Sequence, residues 1–354
     1  MRITLPVSKP IVTCYPWHCN QLAIISTHEG SYPWIFNNFL HIFCQQLNDE
    51  EPPHYIFDFS KFDFFYEDVN PFLRLTTEKI KKTTLSNLLE FSQRSLCDFI
   101  MDAIKLNKYV TVHLDDYYLP NTDFFREKHI IHELLIYGFD NEQEIFQTAA
   151  FFKNSKYQFS TNTYSDILDA YNSAANNQDI PIHLCTFNHE IVHEFNVELV
   201  TRSLECYLAG EDFHNNFSMY AMFSSENNRR KAYYGINVYD AIIIMLSDLI
   251  NGTREHLDIR ALQILYDHKN IMVKRLEFCL SHGFLNDSNL LNHFSRLAKE
   301  LEYIRNMSLK YMFTNDAKLI EKMVYQLDEI REQEVRATNE LIMELKKGMG
   351  GQTS

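Results

Sequence analysis

The chain has 354 residues, of which 45% are hydrophobic, with 33 basic and 47 acidic side chains and a formal net charge of -14. This apolar and aromatic content excludes disordered and fibrous proteins, and the lack of a long Lys/Arg run argues against binding to the phosphates of nucleic acid. The length allows two domains and a large core. An acidic surface favours a cationic ligand such as an amine.

The cysteines and the N-terminal segment indicate the compartment. Seven cysteines, an odd number with irregular spacing, are typical of a reducing environment. The first residues lack the unbroken apolar stretch of a secretory signal, and no run approaches the roughly eighteen apolar residues that a membrane span requires. We therefore expect a cytoplasmic protein that does not bind membranes.

The first half of the chain predicts a mixture of helices and strands. Apolar spacing predicts one helix from near Cys19 to Gly30 and another over residues 85–106. Alternating or continuous apolar runs predict strands over 109–114, 132–137 and 144–152, separated by short polar turns.

The second half predicts long helices. Residues 236–347 contain no proline, and apolar residues recur there at spacings of three and four. The predicted helices cover residues 238–250, 259–280, 290–312 and 317–347. We expect an α+β protein with a catalytic domain over 1–185, a mainly helical domain over 186–347 and a disordered tail over 348–354.

Cys19 and His132 are the first candidates for catalysis. Cys19 stands at the start of a predicted helix, where unpaired N–H groups favour a thiolate, and His132 opens a predicted strand from which its imidazole can accept the thiol proton. The backbone amides of Cys19 and Asn20 are placed to bind an oxyanion. The alternative is structural, because an isolated Cys is most often a core residue and an isolated His a satisfied polar group.

A family resemblance is carried by five stretches. The chain resembles the butirosin-biosynthesis-H type of protein in HCNQLAIISTHEG around Cys19, VTVHLDDYYLP and HIIHELLIYGFDNEQEIF. SLECYLAGE and YYGINVYDAI resemble the helical second half of relatives found beside peptide synthetases. The resemblance implies a papain-like fold, akin to that of bacteriocin-processing cysteine peptidases.

The same resemblance implies acyl transfer in natural-product biosynthesis. An acyl or peptidyl carrier protein would acylate Cys19 from its thioester, His132 would act as the base, and a small amine acceptor would release the chain as an amide. The reaction requires no cofactor or metal.

Two departures from the peptidase pattern favour a transferase. The strand after His132 carries no acid to orient the imidazole, so the third member would be Asp140, Gln147 or Thr148, unless a dyad suffices. Thr13 and Cys14 replace the upstream Gln that supplies an oxyanion hydrogen bond in the peptidases. Losing such a donor typically costs on the order of a hundredfold in rate, which harms amide hydrolysis more than aminolysis of a reactive thioester.

Asp115, Asp116 and Tyr117 form a candidate site for the amine. Consecutive carboxylates followed by an aromatic ring at the end of a strand suit a cation, through ion pairing and cation–π contact. The alternative is a solvated turn with a capping Asp.

The rival site is His189-Glu190-Ile191-Val192-His193, which matches H-E-x-x-H. On a helix this spacing binds zinc and places the Glu to activate water, as in a metallopeptidase. The surrounding alternation instead predicts a hairpin turning at Asn188 and His189, with the next helix starting near Asn196.

A third class, a non-catalytic protein that docks on a carrier, also agrees with the missing third catalytic residue.

Overall fold

The computed structural model describes residues 1–48, 51–60, 70–78, 96–175, 180–212 and 231–350. The chain divides into two compact units. The sheet unit contains residues 1–31 and 66–192, and the helical unit contains residues 32–65 and 193–354. The junction at 192 lies near the predicted boundary at 185, but segment 32–65 of the predicted catalytic domain belongs to the helical unit.

The strands, in chain order, are β1 Arg2–Thr4, β2 His41–Gln46, β3 Tyr55–Ser60, β4 Leu73–Glu78, β5 Tyr109–Asp115, β6 Ile131–Asp140, β7 Ile145–Phe152, β8 Lys156–Thr163, β9 Ile182–Phe187 and β10 Ala232–Tyr234. The helices are α1 Pro16–Ile25, α2 Tyr32–Asn38, α3 Leu96–Lys105, α4 Tyr164–Ala175, α5 Val197–Ala209, α6 Val238–Ile250, α7 Ile259–Ser281, α8 Asn289–Thr314 and α9 Ala317–Gly350.

A seven-stranded sheet forms the centre of the sheet unit. Its strand order is β4-β9-β5-β6-β7-β8, and β1 pairs with the C-terminal end of β6. The pairings are antiparallel. α1 packs on β6 and β7, α3 on β5 and β6, and α4 on β5 and β8. Antiparallel sheets together with a helical second half agree with the α+β class.

The position of residues 36–40 follows from two buried side chains of α7, Arg275 and His268. The Arg275 guanidinium donates from Nε to the Phe36 carbonyl and from Nη2 to the Phe39 carbonyl, each at 2.8 Å. His268 Nε2 lies 2.6 Å from the Leu40 carbonyl. The carbonyls at the C-terminal end of α2 have no partners within their own helix, so these side chains satisfy them. Residues 36–40 are therefore fixed to α7.

Glu334 on α9 is the centre of a fully buried polar network. Its Oε1 lies 2.5 Å from Lys269 Nζ, and its two oxygens accept hydrogen bonds of 2.7 Å from Tyr207 and Tyr239. Lys269 Nζ also lies 2.6 Å from His268 Nδ1. Burial lowers the pKa of Lys269, and the Glu334 carboxylate opposes that shift. The network joins α5, α6, α7 and α9.

The predicted helices of the second half are confirmed as α6 to α9, to within a few residues. α9 continues to Gly350, so the first residues of the predicted tail are helical, and residues 351–354 lie outside the described part. The helix predicted over 85–106 is observed as α3, and residues 85–95 lie outside the described residues. α1 ends at Ile25, before the predicted Gly30, and a 3₁₀ turn follows at Glu29–Ser31.

The predicted hairpin around Asn188 is wrong. β9 forms its first arm, but residues 188–196 form a turn and an irregular segment. The start of the next helix is confirmed, because the Asn196 side chain accepts a hydrogen bond from the Leu199 amide and caps α5. Among the described helices, none combines the length and the apolar character needed to cross a bilayer.

Replacing Glu334 with Gln is expected to lower the free energy of unfolding by about 3–5 kcal/mol, because Lys269 then remains buried without a countercharge. Urea denaturation measures this loss. Glu340→Gln on the same helix is the matched control: its side chain is 52% exposed beside His293, so the expected change is below about 0.5 kcal/mol. Equal losses in the two variants would contradict a structural role for the buried pair.

Candidate active site

Cys19 lies in the first turn of α1. The helix begins after Tyr15 and has Pro16 at its first position, where the missing N–H and fixed φ of proline suit a helix start. The Cys19 amide donates to the Tyr15 carbonyl at 3.0 Å. The thiol is fully buried, with Sγ 3.6 Å from the Val12 carbonyl. The partial positive charge of a helix N-terminus favours the thiolate at this position.

Asn20 attaches α1 to two strands of the sheet. Its Nδ2 donates to Glu133 Oε1 on β6 at 2.5 Å, and its Oδ1 accepts a 2.7 Å hydrogen bond from the Tyr157 hydroxyl on β8. These two bonds fix the orientation of the amide. Burial raises the pKa of Tyr157 well above its ordinary value, and the neighbouring Cys19 and Glu133 add to that shift. Tyr157 therefore keeps its proton.

His132 is oriented by Asp116. Its Nδ1 lies 2.7 Å from Asp116 Oδ2, and the side chains are 45% and 5% exposed. A carboxylate at Nδ1 holds the ring in the tautomer that leaves Nε2 free to accept a proton. Burial raises the pKa of Asp116, and the hydrogen bond and charge of His132 oppose that shift. The pair has the arrangement of a general base and its orienting acid.

Cys19 and His132 are directed to different faces of β6. The β6 side chain that bonds to α1 is Glu133, through Asn20. Consecutive residues of a strand point to opposite faces, so His132 points away from the face that α1 covers. The helix of Cys19 and the imidazole of His132 therefore lie near the same end of β6. They are on opposite faces of the sheet.

Asp140 and Thr148 have partners elsewhere. Asp140 caps the turn after β6 by accepting from the amides of Glu142 at 2.9 Å and Gln143 at 3.4 Å. It lies eight residues beyond His132 on the same strand, roughly 26 Å away at about 3.3 Å per residue. The Thr148 hydroxyl donates to the buried Asn162 Oδ1 at 2.8 Å. The carboxylate that contacts His132 in the structure is Asp116, at 2.7 Å from Nδ1.

Asp115 is also occupied. Its Oδ1 accepts from the Tyr117 amide at 3.1 Å, and its Oδ2 lies 2.6 Å from Ser173 Oγ and 2.7 Å from His129 Nδ1. Burial alone would raise its pKa, but the hydrogen bonds from Ser173, His129 and Tyr117 lower it overall. The Tyr117 ring stacks on His129 at 4.2 Å and has the Arg126 guanidinium 5.6 Å from its centroid. An amine at Asp115, Asp116 or Tyr117 must therefore displace partners already bound.

The H-E-x-x-H stretch does not form a helix. His189 and Glu190 lie in a turn after β9, and Glu190 forms an exposed ion pair of 2.7 Å with Arg74. The His189 ring packs against His28 and Phe187. His193 belongs to the helical unit. The spacing of four places two imidazoles on one face only in a helix, so these residues lack the geometry of a zinc peptidase.

From the sequence, Asp116 is expected in the amine site. Its hydrogen bond to His132 is not expected. The two residues are sixteen positions apart, on elements joined by a long irregular loop. Register is the signal that predicts their contact: β5 and β6 pair with Leu114 opposite His132, so a residue just beyond the end of β5 lies beside the imidazole. Glu133 and Tyr157 were likewise missed, because their link to α1 depends on how the helix packs on the sheet.

Asp115→Asn is expected to lower the free energy of unfolding at pH 7 by about 2 kcal/mol, because it removes charge-assisted hydrogen bonds. The pKa of Asp115 is lower in the folded protein than in the unfolded chain, so its ionisation stabilises the fold at pH values above the unfolded pKa. This contribution is lost as the pH falls through the folded pKa. The difference between wild type and variant should therefore shrink below about pH 4. Urea denaturation across pH measures it.

The exposed Asp169, on the same helix as Ser173, supplies the control, and Asp169→Asn should change stability by less than about 0.5 kcal/mol at any pH. A loss for Asp115→Asn that stays constant down to acid pH would contradict the role of the ionised carboxylate.

Comparison with known proteins does not identify the family. No family model matches the chain, and no curated protein is significantly similar to it. Its function must therefore be argued from the chemistry of the site.

Proposed function

We propose that the protein is a cysteine-dependent N-acyltransferase with a papain-like sheet unit, which moves an acyl or peptidyl chain from a carrier-protein thioester to an amine. The observation that carries the proposal is the 2.7 Å contact between His132 and the buried Asp116. It supplies the oriented base that acyl transfer requires, at the end of β6 to which the helix of Cys19 is bound. The family resemblance at Cys19 and His132 supports the same assignment.

The reaction divides into two steps. In the first, the Cys19 thiol gives its proton to His132 Nε2, the sulfur bonds to the thioester carbon, and the carrier leaves as a thiol after taking that proton. In the second, the amine nitrogen attacks the acyl-Cys19 carbon, His132 accepts the amine proton, and Cys19 leaves as a thiol. A thioester and an amine give an amide and a thiol, without a cofactor.

The resting arrangement is closed, since Cys19 is fully buried and His132 lies on the other side of β6. Acylation therefore requires a rearrangement at the start of β6 that uncovers the sulfur and brings the imidazole to it. Breaking the Asn20–Glu133 hydrogen bond, which involves a carboxylate, costs about 1.5–3 kcal/mol. This is one part of the cost of opening, and moving His132 from the other side of β6 adds to it.

Burial of Cys19 favours aminolysis over hydrolysis. If the site closes again after acylation, over a sulfur that is 0% exposed in the resting protein, the acyl group is shielded from bulk water until an acceptor enters. The net charge of -14 raises the local concentration of cationic acceptors. The proposed partners are thus an acyl or peptidyl carrier protein and a small amine.

Cys19→Ala is expected to abolish amide formation and the covalent adduct. Intact-mass measurement after incubation with an acyl thioester should show one acyl group on the wild type and none on the variant. Cys97→Ala is the matched control, because Cys97 is also a buried thiol of the sheet unit, on α3. Adduct formation and activity that persist in Cys19→Ala would contradict the proposal.

Asp116→Asn is expected to lower kcat by roughly 10³- to 10⁴-fold, because the His132 ring loses the partner that fixes its tautomer. Asp140→Asn should change kcat less than about threefold, since Asp140 only caps the turn after β6. Steady-state kinetics with an acyl thioester and an amine separates the two. The reverse order of effects would exclude Asp116 as the orienting acid.

The rival functions predict different results. A metallopeptidase would contain stoichiometric zinc and lose activity on His189→Ala as completely as on Cys19→Ala. A protein that only docks on a carrier would bind it equally well after both Cys19→Ala and His132→Ala, and would form no adduct.

A further inference from the structure

We propose that the Tyr157 hydroxyl is the hydrogen-bond donor to the oxyanion that forms when Cys19 attacks a thioester. This inference rests on the proposed acyl transfer and adds a catalytic group that the sequence analysis did not contain. The upstream positions at which peptidases carry a Gln donor hold Thr13 and Cys14. A donor from another element is therefore needed.

The sheet holds Tyr157 beside the nucleophile. Its hydroxyl lies 2.7 Å from Oδ1 of Asn20, the residue that follows Cys19 on α1. Tyr157 pairs with Phe151 of β7, the strand next to β6, and α1 packs on both β6 and β7. Cys19 is also near enough to contribute to the raised pKa of Tyr157. A donor on a strand is positioned more precisely than one on a loop.

One of the two backbone donors expected from the sequence, the Cys19 amide, is already used. The Cys19 amide donates to the Tyr15 carbonyl at 3.0 Å, as part of the first turn of α1. Glu133, the other side chain that holds Asn20, accepts a hydrogen bond and as a carboxylate would repel an oxyanion. Among these neighbours of Cys19, Tyr157 is the one with an O–H that can be redirected.

The step conserves atoms and protons. As the sulfur–carbon bond forms, the carbonyl π pair moves to oxygen, and the Tyr157 O–H shifts its hydrogen bond from Asn20 Oδ1 to that oxyanion. A hydrogen bond to an ionised acceptor is roughly twice as strong as one to a neutral amide. Burial keeps the pKa of Tyr157 high, so the phenol donates a hydrogen bond without losing its proton. When the tetrahedral intermediate collapses and expels the carrier thiol, the hydroxyl returns to Asn20.

The test compares two reactions of the same thiol in the full-length protein. S-acetyl-N-acetylcysteamine acylates Cys19 through an oxyanion, whereas iodoacetamide alkylates it by displacement without one. Tyr157→Phe is expected to slow acylation by about 100-fold and to leave the alkylation rate within about twofold of wild type. Both rates are measured as the growth of the Cys19 adduct by intact mass, with Cys19→Ala as the blank.

Tyr109→Phe is the matched control. Tyr109 is a buried tyrosine of the same sheet, and its hydroxyl donates at 2.7 Å to the Pro6 carbonyl, so the variant loses one comparable hydrogen bond. Both of its adduct rates should remain within about threefold of wild type.

Three outcomes would overturn the inference. If Tyr157→Phe slows acylation and alkylation equally, Tyr157 acts only by holding α1, and if it slows neither, it is not the donor. If the wild type is alkylated at Cys19 but never acylated, the proposed acyl transfer itself fails, and the oxyanion donor fails with it. Wild-type acylation at Cys19 with an unchanged rate in Tyr157→Phe rejects the donor and leaves acyl transfer standing.

Discussion

Lys269 and Arg275 are fully buried cations on one helix, and their need for partners organises the helical unit. An unpaired buried charge costs several kcal/mol, so each cation must be surrounded by acceptors. Glu334 on α9 and the carbonyls of Phe36 and Phe39, at the end of α2, meet that need. A segment that the order of the chain assigns to the first half therefore belongs to the helical unit. Apolar packing stabilises these helices, and the buried cations fix which partners they take.

The same principle applies in the sheet unit, where the buried charges are carboxylates. Asp115 and Asp116 are buried carboxylates at the end of β5, and each is held by an imidazole that lies partly in solvent. A buried carboxylate beside a partly exposed histidine orients the imidazole ring and leaves it accessible to a substrate. Asp115 has further donors in Ser173 and the Tyr117 amide, which fix it in a structural role. Asp116 has His132 as its one side-chain partner named here, and that imidazole is the proposed base.

The elements were predictable where the signal is local. Proline-free apolar periodicity located α6 to α9 within a few residues, and alternating or continuous apolar runs located β5, β6 and β7. The hairpin at Asn188 failed because period-two alternation also occurs in an irregular segment, where no partner strand fixes it. For the site, helix-start chemistry placed Cys19 in the first turn of α1. The contacts of Asp116, Glu133 and Tyr157 depend on strand register and on helix packing, which no spacing of residues in the sequence specifies.

The bond between Asn20 and Glu133 joins residues 113 positions apart in the chain. During synthesis at about 5–20 residues per second, the nucleophile helix therefore leaves the ribosome roughly 6–23 s before the strand that holds it. During that interval, segment 32–65 also leaves the ribosome, after Cys19. Its own partners on α7 are made later still. The nascent chain thus carries an uncovered thiol until β6 is made. A reducing environment during translation is consequently a condition for forming the site, independent of any requirement during turnover.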